Sequence, residues 1–183
     1  MKHDYQDLIR LFEQTFYQQY QTRLVKGGDE PIYLPASKTC SDHQIVFARG
    51  YYASALHELA HWFIAGEQRR LKEDFGYWYL PDGRTSKQQK RFEQVEIKPQ
   101  AIEWALCVAC NKKFNVSADN LNGAGSDTIA FKKKVYQQVK QYLANGFPAR
   151  AERFITVLAQ FYQVQLPLTL EKFVLDKELF ENV

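Results

Sequence analysis

Two histidines four residues apart, with a glutamate beside the first, make up the segment His57-Glu58-Leu59-Ala60-His61. On a helix, residues i and i+4 project from one face about a turn apart, so both imidazoles can reach a single metal ion. Neutral imidazole is a good ligand for zinc, iron, copper and nickel. Glu58 falls about 100° round the helix from His57, near the open side of such an ion, where a carboxylate can take or give a proton. Only four histidines occur in the chain, so half of them stand in this one segment.

Two histidines hold a metal weakly, and a carboxylate is the usual third protein ligand. Glu93, Glu96 and Glu103 follow in the next helical stretch. Pro99 suits the first turn of a helix, which puts Glu96 at the entrance and Gln100 and Glu103 on roughly the same face. Spacing therefore leaves Glu96 and Glu103 both open. The metal then divides the chemistry. Zinc, with Glu58 as base, would hydrolyse an amide. Iron(II) held by two histidines and one carboxylate keeps positions open for dioxygen and would hydroxylate carbon. The five-residue pattern by itself favours the peptidase.

The elements that must position these groups can be read from periodicity. Gly50 introduces a helix over residues 51–65, whose apolar surface is Tyr52, Ala53, Ala55, Leu56, Leu59, Ala60 and Phe63, with Gly66 as its C-terminal stop. Residues 4–23 carry Tyr5, Leu8, Ile9, Phe12 and Phe16 at helical spacing. Extended stretches are expected at 32–34 and 44–49. An aromatic strand is expected over 75–80, running into the turn Pro81-Asp82-Gly83. A polar helix over 86–95 precedes the helix that Pro99 opens, which runs to about 110. A loop at 120–126 and helices over 127–144 and 148–163 complete the pattern. The fold class is helix-dominated α+β with a small sheet.

Composition limits the alternatives. A chain of 183 residues suits one domain, here 1–183. Hydrophobic residues at 45% and charged residues at 25% exclude a disordered or collagen-like chain, and 15% aromatics can fill a large core. A formal charge of +3 calls for neither nucleic acid nor membrane as partner. No window nears the roughly 18 unbroken apolar residues of a membrane span, and the acidic residues near Met1 do not suit a signal peptide. Cys107-Val108-Ala109-Cys110 has the spacing of a redox or half-zinc motif. It lies in an apolar helical run, and no second pair exists, so both read as buried thiols in a reducing cytoplasm. Lys132-Lys133-Lys134 reads as a solvated helix face.

Longer segments add a resemblance. Asp29-Glu30-Pro31-Ile32-Tyr33-Leu34-Pro35-Ala36, Ile45-Val46-Phe47-Ala48 and Tyr52-Ala53-Ser54-Ala55 lead into His57-Glu58. His61-Trp62, Ile64-Ala65-Gly66, Phe75-Gly76-Tyr77-Trp78-Tyr79, Pro81-Asp82-Gly83-Arg84, Lys98-Pro99-Gln100-Ala101, Asn115-Val116-Ser117 and Asp119-Asn120-Leu121 follow. In these segments the chain resembles the elongation factor P hydroxylase family over nearly its whole length. The resemblance implies a bacterial cytoplasmic enzyme that hydroxylates the β-lysylated lysine of translation elongation factor P. It implies a two-histidine, one-carboxylate site, with iron(II) the working metal, zinc the alternative and dioxygen the co-substrate, on a metallopeptidase-like metal-site helix. His57 and His61 carry over directly as ligands. Glu96 is favoured as the third, because the family pattern has Glu, then Val or Ile, before Lys-Pro-Gln-Ala. Glu58 becomes the catalytic candidate, orienting the site or relaying protons.

A modified lysine is a long cationic chain, which suits a pocket with aromatic walls and a carboxylate. Tyr77, Trp78 and Tyr79 with Asp82 are the local candidates for that wall. The same stretch reads more readily as a strand packed on the core and closed by a turn. No 2-oxoglutarate signature is legible.

Overall fold

The computed structural model describes residues 2–74, 83–117 and 127–174. The amphipathic spacing at the amino end produces α1 (Tyr5–Phe12), whose first turn is capped by the Asp4 carboxylate accepting from the Gln6 amide at 2.9 Å. The helix loosens into a π-helical turn (Glu13–Tyr17) and closes in a single α-helical turn, α2 (Gln18–Tyr20). Gln21 then takes a left-handed conformation at φ 45° and stops it. The helix expected through residue 23 therefore ends early, and Thr22–Lys26 forms a strand, β1, that periodicity did not reveal.

With β2 (Ile32–Leu34) and β3 (His43–Phe47) this strand builds a three-stranded sheet in the order β1-β3-β2. β1 pairs with β3 in parallel, Leu24 opposite Ile45, and β2 pairs with β3 antiparallel. Arg49 and Gly50 turn the chain out of β3 at φ 51° and 75°. A Cβ on Gly50 would stand 3.1 Å from Tyr5 Cε1, so both the backbone and the space call for glycine there.

That turn delivers α3 (Tyr52–Ile64), which packs on β3 and against the helices α4 (Ser86–Ala109) and α6 (Ala149–Phe161). Gly66 was expected to end α3 as a left-handed cap, but it does not adopt that conformation. Arginines do the work instead. Arg70 Nη1 donates to the Ala65 carbonyl at 2.8 Å, and Arg150 of α6 donates to the carbonyls of Phe63 and Ala65. Cations at a helix C-terminus take up orphan carbonyls and complement the dipole, which frees the chain from needing glycine there.

α4 corrects the second helical expectation. Residues 86–95 and the stretch after Pro99 are one continuous helix, opened by a capping box between Thr85 and Gln88. Pro99 lies inside it and is buried. Proline removes one hydrogen bond to the residue four before it, and Val95, 49% exposed, lies on the open side where a freed carbonyl can be hydrated. The continuity puts Glu96, Gln100 and Glu103 on one helical stripe.

α5 (Thr128–Asn145), capped by Asp127, packs on α4, and α6 closes the core. The buried side chains form one cluster from Leu8 to Phe173. Its aromatic centre lies behind the histidine helix, with Trp62 5.2 Å from Phe12 and 5.3 Å from Phe16, and Phe63 5.6 Å from Phe154. Cys107 and Cys110 are buried free thiols, as expected. Lys132 departs from the solvated reading. It is buried, with Nζ 5.9 Å from the centre of the Trp104 ring, because its position on α5 faces α4. No helix among the described residues is long and apolar enough to cross a membrane. The aromatic stretch with Tyr77, Trp78, Tyr79 and Asp82, and the loop at 120–126, lie outside the described residues. The fold is helix-dominated α+β with a small sheet.

Candidate metal centre

α3 and α4 cross so that the stripe His57–His61 faces the stripe Glu96–Gln100–Glu103. His57 and His61 bring their Nε2 atoms within 3.1 Å of each other. Glu96 Oε1 lies 3.3 Å from His61 Nε2, and its Oε2 lies 3.7 Å from His57 Nε2. Metal–ligand bonds of about 2.1 Å require neighbouring donor atoms about 3.0–3.4 Å apart, so these spacings fit one ion. Glu96 is 0% exposed, and its Oε1 has no hydrogen-bond partner. A buried carboxylate oxygen without a donor is costly, and a cation between the three groups would remove that cost. Among the described residues, His57, His61 and Glu96 are the group able to hold a metal ion.

The remaining carboxylates separate by what they touch. Glu103 Oε2 sits 2.8 Å from His57 Nδ1, on the ring edge away from His61. With Nδ1 as the donor, Nε2 is left with a free lone pair facing the cluster. Glu93 points elsewhere, accepting from Gln89 at 3.4 Å and lying 3.9 Å from Lys134 Nζ. Glu58 is buried beside His61 in the wall of a cavity.

Gln100 is the site residue that sequence reasoning did not single out, and it is fully buried. Its side-chain amide donates to Glu96 Oε2 at 3.2 Å and to the Ser117 carbonyl at 2.6 Å, while its oxygen accepts from the Ser117 amide at 3.0 Å. The paired bonds to one peptide unit fix which way the amide faces. The signal for it was the i+4 step from Glu96, a shared face that the sequence shows but that assigns Gln100 no role by itself.

The electrostatics follow from these contacts. Burial works against an imidazolium at His57, but the Glu103, Glu96 and Glu58 carboxylates outweigh it and lift its pKa to about 10. Burial would raise Glu96, yet the His61 and His57 rings and the Gln100 amide hold it below the usual glutamate value. Burial pushes Glu58 up, opposed by the two histidines. Without a metal, the cluster takes its positive charge from a proton on His57.

A helical pair of histidines crossed by one buried carboxylate, with a second carboxylate holding a ring from behind, is a donor set able to hold a single metal ion. The model of the elongation factor P hydroxylase family matches residues 11–173, and the chain belongs to that family. Among its relatives is the elongation factor P lysine hydroxylase of Haemophilus influenzae, 54% identical over 173 residues, which cover 94% of this chain and 97% of that protein.

Proposed function

We propose that this protein is a cytoplasmic iron(II)-dependent hydroxylase of the β-lysylated lysine of elongation factor P, with His57, His61 and Glu96 as the metal ligands and dioxygen as co-substrate. Family membership supports the reaction and the protein substrate. The observation that carries the metal assignment is the convergence of two imidazole Nε2 atoms on the buried Glu96 carboxylate, whose Oε1 has no hydrogen-bond partner. Iron(II) held by two histidines and a carboxylate would supply dioxygen chemistry, in which one oxygen atom enters a C–H bond and the other leaves as water with two electrons and two protons from an added reductant.

The chain's own residues prepare that site. Glu103 accepts from His57 Nδ1, which fixes the plane of the ring, turns Nε2 toward the cluster and raises its basicity as a ligand. Gln100 holds Glu96 Oε2, leaving Oε1 as the free donor. The surrounding core, with Leu56, Leu59 and Ile102 fully buried, keeps water from the back of the cluster.

A zinc peptidase is the second reading, favoured by the position of Glu58 beside His61 in a cavity wall, where a hydrolytic base belongs. One experiment separates the two. The protein is loaded with iron(II) and incubated with oxygen, a reductant and β-lysylated elongation factor P, and the factor is weighed by intact mass spectrometry. A gain of one oxygen atom, absent under anaerobic conditions and with His57→Ala, supports the hydroxylase. Peptide-bond cleavage that persists without oxygen, and that Glu58→Gln abolishes in zinc-loaded protein, supports the peptidase.

A further inference from the structure

A narrow, partly open groove, with an interior volume of about 40 Å³, runs along α3 beside the cluster. Glu58, His61, Trp62 and Ala65 form its floor at the i, i+3, i+4, i+7 spacing of one helical stripe, and Tyr33 and Ile45 of the sheet form a wall.

Glu58 is the unusual member. It is 9% exposed, yet no hydrogen bond or ion pair joins its carboxylate to another described residue. A buried carboxylate calls for a cation. The two arginines that also line the groove are committed elsewhere: Arg69 Nε donates to Asp74 at 2.6 Å, and Arg70 reaches the Ala65 carbonyl. Ala65 lies seven residues on from Glu58, about 10 Å along the helix. Nor does Glu58 belong to the group of converging donors around His57, His61 and Glu96.

The geometry points to Glu58 as the residue that receives the ammonium of a lysine-derived side chain lying in this groove, an inference that rests on the proposed hydroxylase reading. The walls match such a chain. Tyr33, Trp62 and Ile45 offer aromatic and aliphatic surface to a methylene stem, and the carboxylate stands where the charged head arrives. Arg70 at the far end repels the same head and so opposes the reversed orientation. An ammonium anchored at Glu58, three residues before His61, sets which carbon of the chain lies beside the metal ligands.

The test is calorimetric binding of β-lysylated elongation factor P, under anaerobic conditions, to the iron(II)-loaded and the metal-free protein. Glu58→Gln, which keeps the shape of the side chain, is expected to weaken binding at least tenfold in both forms. Glu58→Asp should fall between, and a variant that binds iron as the parent does serves as the check on folding. Acetylating the lysyl amines of the factor should weaken the parent protein to the same level and leave Glu58→Gln nearly unaffected. In turnover, Glu58→Gln should raise KM and spread the added oxygen over more than one carbon of the lysyl chain. Unchanged affinity with a collapsed kcat would overturn the inference and make Glu58 a proton-handling group. Equal binding of native and acetylated factor by the parent would also overturn it. If the parent adds no oxygen to the factor at all, the hydroxylase reading fails, and the binding arms still decide the role of Glu58.

Discussion

Two clusters of interlocked charges sit on opposite terms with water. Near the sheet, Arg23 reaches Glu13 through Nη1 and Asp42 through Nε, each at 2.6 Å, and lies over the Tyr17 ring at 4.3 Å. That guanidinium is 39% exposed, and its partners lower one another's charge without help. The α3–α4 cluster has the opposite character. It gathers the buried carboxylates Glu58, Glu96 and Glu103 around two imidazoles. The surface cluster is complete as built. The buried one has more acceptors than donors until a cation arrives, and such an imbalance marks a site rather than a strut.

Breaking the buried cluster should have the largest effect. Glu96→Ala or His61→Ala removes a donor from the group of three, so metal content should drop to background and oxygen addition to the factor should fall at least about a hundredfold. Elemental analysis beside intact mass measurement checks both. Glu103→Gln sharpens the contrast, because it keeps the bond to His57 in weaker form. Metal affinity should fall about 10–100-fold without being lost, as read by chelator competition. An equal loss for Glu103→Gln and Glu96→Gln would make Glu103 a ligand.

Protons should distinguish the metal-free protein from the loaded one. His57 has a folded pKa of about 10, above its usual value of 6.5. The stability this contributes is fully present below pH 6.5 and is lost as pH rises through 10, so denaturant midpoints of the metal-free protein should decline across that window. Metal binding must displace the proton, so apparent metal affinity should rise over the same window, and binding in weakly buffered solution should release protons. The smallest effect belongs to the surface. Arg23→Met should lower the melting temperature barely above error in dilute buffer and not measurably in molar salt, since exposed pairs are weak and screened.

Local periodicity explains what the sequence made legible. The histidine pair and its helix were readable because i, i+4 spacing is a property of one element. Fold class followed from the same signal in the long helices. Glu96 and Glu103 stayed level because both share a stripe of α4, and only the crossing of α4 over α3 puts one at the Nε2 edges and the other behind Nδ1. Pro99 misled because proline more often opens a helix than rides inside one. β1 was invisible because the turn that frees it uses Gln21, not glycine, in the left-handed region. α3 ends where the sequence puts it, but the groups that cap it, Arg70 and Arg150, lie outside any local window.

The cap supplied by Arg150 gives the protein a calendar. A chain emerging from the ribosome presents His57, Glu58 and His61 long before the α6 residue that ties down the end of their helix. At roughly 5–20 residues per second, the roughly ninety residues between His61 and Arg150 take roughly 4–18 s to make. During that interval Arg70 is the one arginine of the pair available to the end of the histidine helix, and the second tether is tied when α6 arrives.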